Sequence, residues 1–134
     1  MNDVTIVGNL TADPVYRVAE QSGRGVVRFD IAVNRRRFDR DTNDYVNLPT
    51  VYHRVVAFGP LADNANESLQ RGVEVVVVGS FADDSYEVDG EKRRQQVLEA
   101  QVIAPSLRFA TAEVKKTQRI TATQRESKEV HDGE

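Results

Sequence analysis

The stretch Tyr52-His53-Arg54-Val55-Val56-Ala57-Phe58-Gly59-Pro60 decides the fold. Up to Phe58 it alternates, as a strand with two differently solvated faces does. Tyr52, Arg54, Val56 and Phe58 point one way, and Val51, His53, Val55 and Ala57 point the other. Gly59-Pro60 stops the strand, and Pro60 suits the first position of a helix. Leu61, Ala62, Ala65 and Leu69 then recur at helical spacing, and Gly72 is placed to end a helix of about three turns. One strand face therefore carries two flat rings with a guanidinium between them, a set that suits stacking on unpaired bases and holding their phosphates.

Further strands lie on both sides. Residues 4–10 read as a first strand in which Gly8 marks a bulge or bend, and residues 15–19 extend it past Asp13-Pro14. Residues 26–34 form a second strand with Val27, Phe29, Ile31 and Val33 on one face, so that Phe29 belongs to the core. A long polar loop fills 35–49. Residues 73–82 form a fourth strand. Its run Val75-Val76-Val77-Val78 is apolar enough to be covered on both faces, by the core and, at a position such as Val76, by another subunit. Phe81 reads as core. Asp89-Gly90 signals a hairpin turn, and residues 95–107 form the last strand, with Leu98, Ala100 and Val102 facing inward. Five strands with one short helix between the third and fourth is the order of an all-β OB-fold, a five-stranded Greek-key barrel. Residues 1–110 form that domain, and 111–134 a polar tail whose composition does not support a folded core.

Composition limits the function. The 134 residues are 40% hydrophobic, enough for one modest core, and no apolar run is long enough for a membrane span. With no basic-then-apolar leader, a cytoplasmic, nucleoid-associated protein that contacts no membrane is expected. The chain has no cysteine and two histidines, one of them in the polar tail, so neither a metal cluster nor a catalytic constellation can be assembled. No cofactor and no enzymatic activity are expected. The net charge is −3, whereas nucleic-acid binders usually carry a basic footprint. Its distribution is more telling: Arg35-Arg36-Arg37 with Arg40, and Lys92-Arg93-Arg94, are local basic clusters. Arginine forks match phosphates and stack on flat rings.

With these pieces in order, the chain resembles the bacterial single-stranded DNA-binding proteins over residues 2–109. The resemblance rests on Val4-Thr5-Ile6-Val7-Gly8-Asn9-Leu10 followed by Asp13-Pro14, on Phe29-Asp30-Ile31-Ala32-Val33, on Tyr52-His53-Arg54-Val55-Val56-Ala57-Phe58-Gly59, and on Leu69-Gln70-Arg71-Gly72 leading into the valine strand and Gly79. It implies a non-enzymatic protein that binds single-stranded DNA without strong sequence specificity and protects it during replication, recombination or repair. It also implies self-association as a homotetramer, with His53 in a subunit interface. The family's base-stacking rings match Phe38, Tyr52, Phe58 and Tyr86. Arg54, Arg35, Arg36, Arg37, Lys92 and Arg93 stand ready for phosphates. Tyr16, Phe29, Tyr45 and Phe109 are left as structural residues.

The departures matter as much. Phe38, Tyr52 and Tyr86 stand where many members have Trp. Asp83-Asp84 stand at the end of the fourth strand, where many carry basic residues. The family's acidic run and Pro-Phe tip have no match in Lys128-Glu129-Val130-His131-Asp132-Gly133-Glu134, so recruitment of replication and repair enzymes is not carried over. The chain reads as a paralogue, a phage- or plasmid-type member, or a truncated form. An alternative stays open: an OB-fold interaction or assembly module with weak or lost DNA affinity. If DNA is bound, fewer neutralised phosphates release fewer counterions. The logarithm of affinity should then fall less steeply with the logarithm of salt than for a strongly basic member, measured side by side on oligo-dT. An equally steep fall would refute this.

Overall fold

The computed structural model describes residues 3–117. The elements in order are β1 (Val4–Leu10), β2 (Val15–Val18), β3 (Gly25–Val33), β4 (Arg36–Asp39), β5 (Asp44–Asn47), β6 (Val51–Phe58), α1 (Pro60–Ser68), β7 (Glu74–Val88) and β8 (Glu91–Pro105). Five strands close a ring: β1 pairs with β7, β7 with β8, β8 with β6, β6 with β3, and β3 with β1 again. The β6–β8 pairing is parallel and the other four are antiparallel. This ring, with its helix between the third and fourth ring strands, is the OB-fold barrel. β2 pairs along the outer edge of β3.

Alternation fills the barrel. Val27, Phe29 and Ile31 of β3, Val55 and Ala57 of β6, Val75 and Val77 of β7, and Leu98 of β8 form the buried core. Among the described residues no polar or charged side chain is buried, so the core rests on apolar burial alone. α1 packs on β3, β6 and β8 and buries Ala62 and Ala65. Gly59 opens the helix at φ 70, a backbone conformation that glycine adopts without a Cβ penalty. Its N–H donates to the Gly25 carbonyl at 2.9 Å. The Tyr16 hydroxyl on β2 donates to Asp63 of the helix at 2.6 Å. That bond, with lesser help from burial and the carboxylate's charge, raises the Tyr16 pKa above its ordinary value.

Several expectations are corrected. The helix stops at Ser68, short of Gly72, because Leu69 turns to extended backbone (φ −104, ψ 150) and is buried in the core. Gly8 marks a close approach and not a bulge. β1 runs in unbroken register with β7 from Val4 to Asn9, and a Cβ at Gly8 would lie 2.8 Å from the Ala32 carbonyl oxygen. The bulge lies instead between β7 and β8, where Val78 pairs with Val102 but Gly79 pairs with Ala100. The extra residue, Gln101, reverses the facing of β8, so Val102 points outward at 53% exposure and Ile103 packs on the core. Phe81, expected in the core, is 38% exposed at the barrel rim. The segment 35–49 is a two-stranded hairpin rather than an irregular loop. Residues 83–94 continue β7 and β8, turned by Asp89 (φ 52) and Gly90 (φ 80).

The last strand is tied back by an ion pair. Arg108 Nη2 and Nε donate to the two Glu74 carboxylate oxygens at 2.6 and 3.0 Å. Arg108, then Ser106, hold the Glu74 carboxyl down at about 2, and Glu74 raises Arg108 in turn. A depressed carboxyl contributes stability above its ordinary pKa of 4.5 and loses it as pH falls toward about 2. Arg108→Ala should therefore lower the urea midpoint near neutral pH and approach the unsubstituted protein close to pH 2. A gap independent of pH would show that Glu74 does not titrate against Arg108.

Candidate nucleic-acid interface

β3 and β6 lie side by side with Ala32 opposite Tyr52, Asp30 opposite Arg54, Arg28 opposite Val56 and Val26 opposite Phe58. Because Val55 and Ala57 are sealed in the core, their neighbours on β6 must face out. Tyr52 is 65% exposed and Phe58 39%. Six residues of strand hold these rings about 20 Å apart, too far for both to serve one base. Arg54 sits between them, but its guanidinium is engaged: Nε and Nη2 donate to the Asp30 carboxylate at 2.8 and 3.2 Å. The expected phosphate ligand thus has a carboxylate partner on the next strand. Arg28 is an exposed cation of the same face that the sequence reading missed. Its signal was available, since Arg28 alternates with the core residues Val27 and Phe29.

The remaining expected ligands lie on two hairpins. Phe38 of β4 stands directly opposite Tyr45 of β5, with ring centroids 5.3 Å apart at 73°. Both rings are exposed. Arg36 lies 5.0 Å from the Tyr45 centroid, and Arg35 and Arg37 are exposed beside it. Tyr45 was left as a structural residue, but it is not core; neither is Phe109, which is exposed with Arg108 over its ring at 5.1 Å. Tyr16 does have a structural bond, and Phe29 is core. On the β7–β8 hairpin the backbone of Tyr86 faces that of Arg93, while its ring lies outside the described residues. Lys92 faces Glu87, and Arg93 is 3.6 Å from Glu91. Asp83 and Asp84 are exposed on the same arm. This hairpin is therefore mixed in charge, whereas the β4 strand is predominantly basic.

The two expected interface residues lie elsewhere. His53 is on the core side of β6, half-buried, with its ring 5.7 Å from that of Phe81. Val76 faces outward on β7, opposite Val7 of β1 and Ala104 of β8. With Val78 and Val102 they form an apolar strip on the outside of the β1–β7–β8 sheet, away from Tyr52 and Phe58. No group of metal-binding side chains occurs among the described residues, and no helix among them is long and apolar enough to cross a membrane.

The model of the single-strand binding protein family matches residues 1–110. The chain belongs to that family. A single-stranded DNA-binding protein of Paenarthrobacter aurescens is 43% identical over 117 residues, covering 87% of this chain and 68% of its own. One from Mycobacterium tuberculosis is 42% identical over 87% of this chain and 71% of its own. Among solved structures, the small single-stranded DNA-binding protein of Streptomyces coelicolor superposes with a TM-score of 0.64 at 34% identity, over 80% of this chain and 97% of the other. A deletion variant of the Thermus aquaticus protein gives 0.67 at 27% identity, over 81% and 52%.

Within this member of the single-strand binding protein family, the Arg54–Asp30 pair is a local feature of the face and not a pillar of the barrel. Its side chains remain 32% and 39% exposed, and such pairs contribute about 0.2–1 kcal/mol. Asp30→Asn should therefore lower the thermal midpoint by only about 2 °C, measured by circular dichroism. Loss of the cooperative transition would show the pair to be essential to the fold.

Proposed function

We propose that this protein binds single-stranded DNA without strong sequence preference, stacking bases on aromatic rings and holding phosphates with arginines, and so protects the strand during replication, recombination or repair. The observation that carries this reading is the exposed Tyr52 and Phe58 pair on β6, fixed by a strand whose other face is core. A ring so exposed, held by a rigid element, offers its π-face without reorganisation. Phe38 on β4 and Tyr86 on β7 extend the track onto the two hairpins. Arg35, Arg36, Arg37, Lys92 and Arg93 supply phosphate contacts, and Arg54 joins them when a phosphate displaces Asp30. The names of the relatives support the same ligand. The protein acts in the cytoplasm, on nucleoid DNA.

Self-association accompanies this role, as family membership supports, and four copies assemble. The strip of Val7, Val76, Val78 and Val102 offers an apolar face for one contact, while His53 and Phe81 at the rim offer another. Residues 111–117 follow the last strand without regular secondary structure; residues from 118 lie outside those described, and partner recruitment through them is not part of the reading. A second reading, an interaction module with little DNA affinity, is favoured by the Arg54–Asp30 fork and by Asp83-Asp84.

Anisotropy of labelled oligo-dT separates the two. Submicromolar binding is expected, with Tyr52→Ala and Phe58→Ala each raising the dissociation constant about five- to 150-fold, the equivalent of about 1–3 kcal/mol per base. Sedimentation of the same samples should give the mass of four chains. Absence of binding at low salt would leave the interaction module, and a monomer mass would remove the tetramer.

A further inference from the structure

We propose that Tyr45 is a further base-stacking residue, presented with Phe38 and Arg36 on a free-standing arm formed by β4 and β5. This rests on the single-stranded DNA reading above and extends it to a residue outside the four matched rings.

The first support is isolation. Among the described residues, no Cα of β4 or β5 comes within 8 Å of a Cα in another strand or helix. Tyr45 is 59% exposed and Phe38 46%, so neither ring packs a core. A two-stranded hairpin is marginal in water by itself, and the cross-strand contact of Phe38 with Tyr45 helps hold it. That contact engages only part of each ring, because the planes meet at 73° and not face to face. Exposed π surface remains for a base.

The second support is a repeated chemical set. On β6, two rings flank the guanidinium of Arg54. On the arm, Phe38 and Tyr45 lie beside the guanidinium of Arg36, 5.0 Å from the Tyr45 centroid. The difference lies in what holds the cation. Arg54 is forked to Asp30, whereas among the described residues no carboxylate pairs with Arg36. A guanidinium on an aromatic face in open solvent is held by only about 0.5–1 kcal/mol. It can leave the ring for a phosphate as a base takes its place.

The third support is the direction of the acids. Asp39 faces Asp44 one residue nearer the turn. By strand alternation these two share the opposite face of the hairpin from Phe38 and Tyr45. The arm thus presents both rings and Arg36 on one side, free of carboxylates, and Asp39 and Asp44 together with Arg37 on the other; bases and phosphates find the ring face without a repelling acid.

The chain has no tryptophan, so Tyr45→Trp and, separately, Tyr52→Trp each install a single reporter in the full-length protein. Saturating oligo-dT is expected to quench emission in both. Tyr45→Leu keeps an apolar contact with Phe38 but has no π-face, and should weaken binding about five- to tenfold, while Tyr45→Phe retains affinity. Unchanged emission at position 45 with quenching at 52, or native affinity in Tyr45→Leu, overturns the proposal and leaves the DNA reading standing. Failure of every variant and of the unsubstituted protein to bind oligo-dT overturns both.

Discussion

The placement of β6 between β3 and β8 is the constraint on which the rest depends. Val55 and Ala57 are completely buried, and a slip of one residue would exchange them for Arg54 and Val56, placing a charge in a core that otherwise holds none. The register is therefore held by apolar burial, and the outward direction of Tyr52 and Phe58 follows from it. The proposed binding face needs no separate device to orient its rings. It is the reverse side of the core, and anything that stabilises the barrel also fixes the spacing of the two rings.

The same logic explains what could be read from the chain alone. Where one face is apolar and the other polar, as in β3 and β6, alternation gave the strands and the core, while in β7 the continuous valine run did. Pro60 after Gly59 gave the helix start. The hairpin of β4 and β5 escaped because neither of its faces meets the core, so residues 36–47 carry no apolar period to detect. Tyr45 escaped with it. Val102 was assigned to the wrong face because one extra residue, Gln101, inverts β8, and a bulge leaves no local mark in a run such as Gln101-Val102-Ile103. The end of the helix was misplaced because Leu69 fits helical spacing equally well when it enters the core from extended backbone. The Asp30–Arg54 fork was out of reach for a different reason: it joins residues 24 apart through a cross-strand register that only closure of the sheet reveals.

Charge is arranged by arm. The net value of −3 conceals a basic strand β4, a mixed β7–β8 hairpin, and a barrel face whose central arginine already has an anionic partner. Exposed charges interact over about one Debye length, roughly 8–10 Å at cellular salt. A chain of modest acidity can in this way hold a phosphate-friendly track, provided cations such as Arg36 and acids such as Asp39 and Asp44 face opposite ways.

In the proposed track, such an arrangement shifts the burden of binding from counterion release to stacking. Counterion release depends on the number of neutralised phosphates and tolerates imprecise geometry. Stacking requires a ring held at the right height and tilt. The barrel supplies that at Tyr52 and Phe58 through a sealed strand. The arm cannot, since among the described residues none of its Cα atoms comes within 8 Å of one in another element, and a lone hairpin loses ordering entropy when it settles on a ligand. The cross-strand contact of Phe38 with Tyr45 offsets part of that loss by restricting both rings before the strand arrives. The two halves of the proposed track thus reach the same chemistry by different means. One is rigid because its back is a core, and the other is partly ordered because its own side chains hold one another.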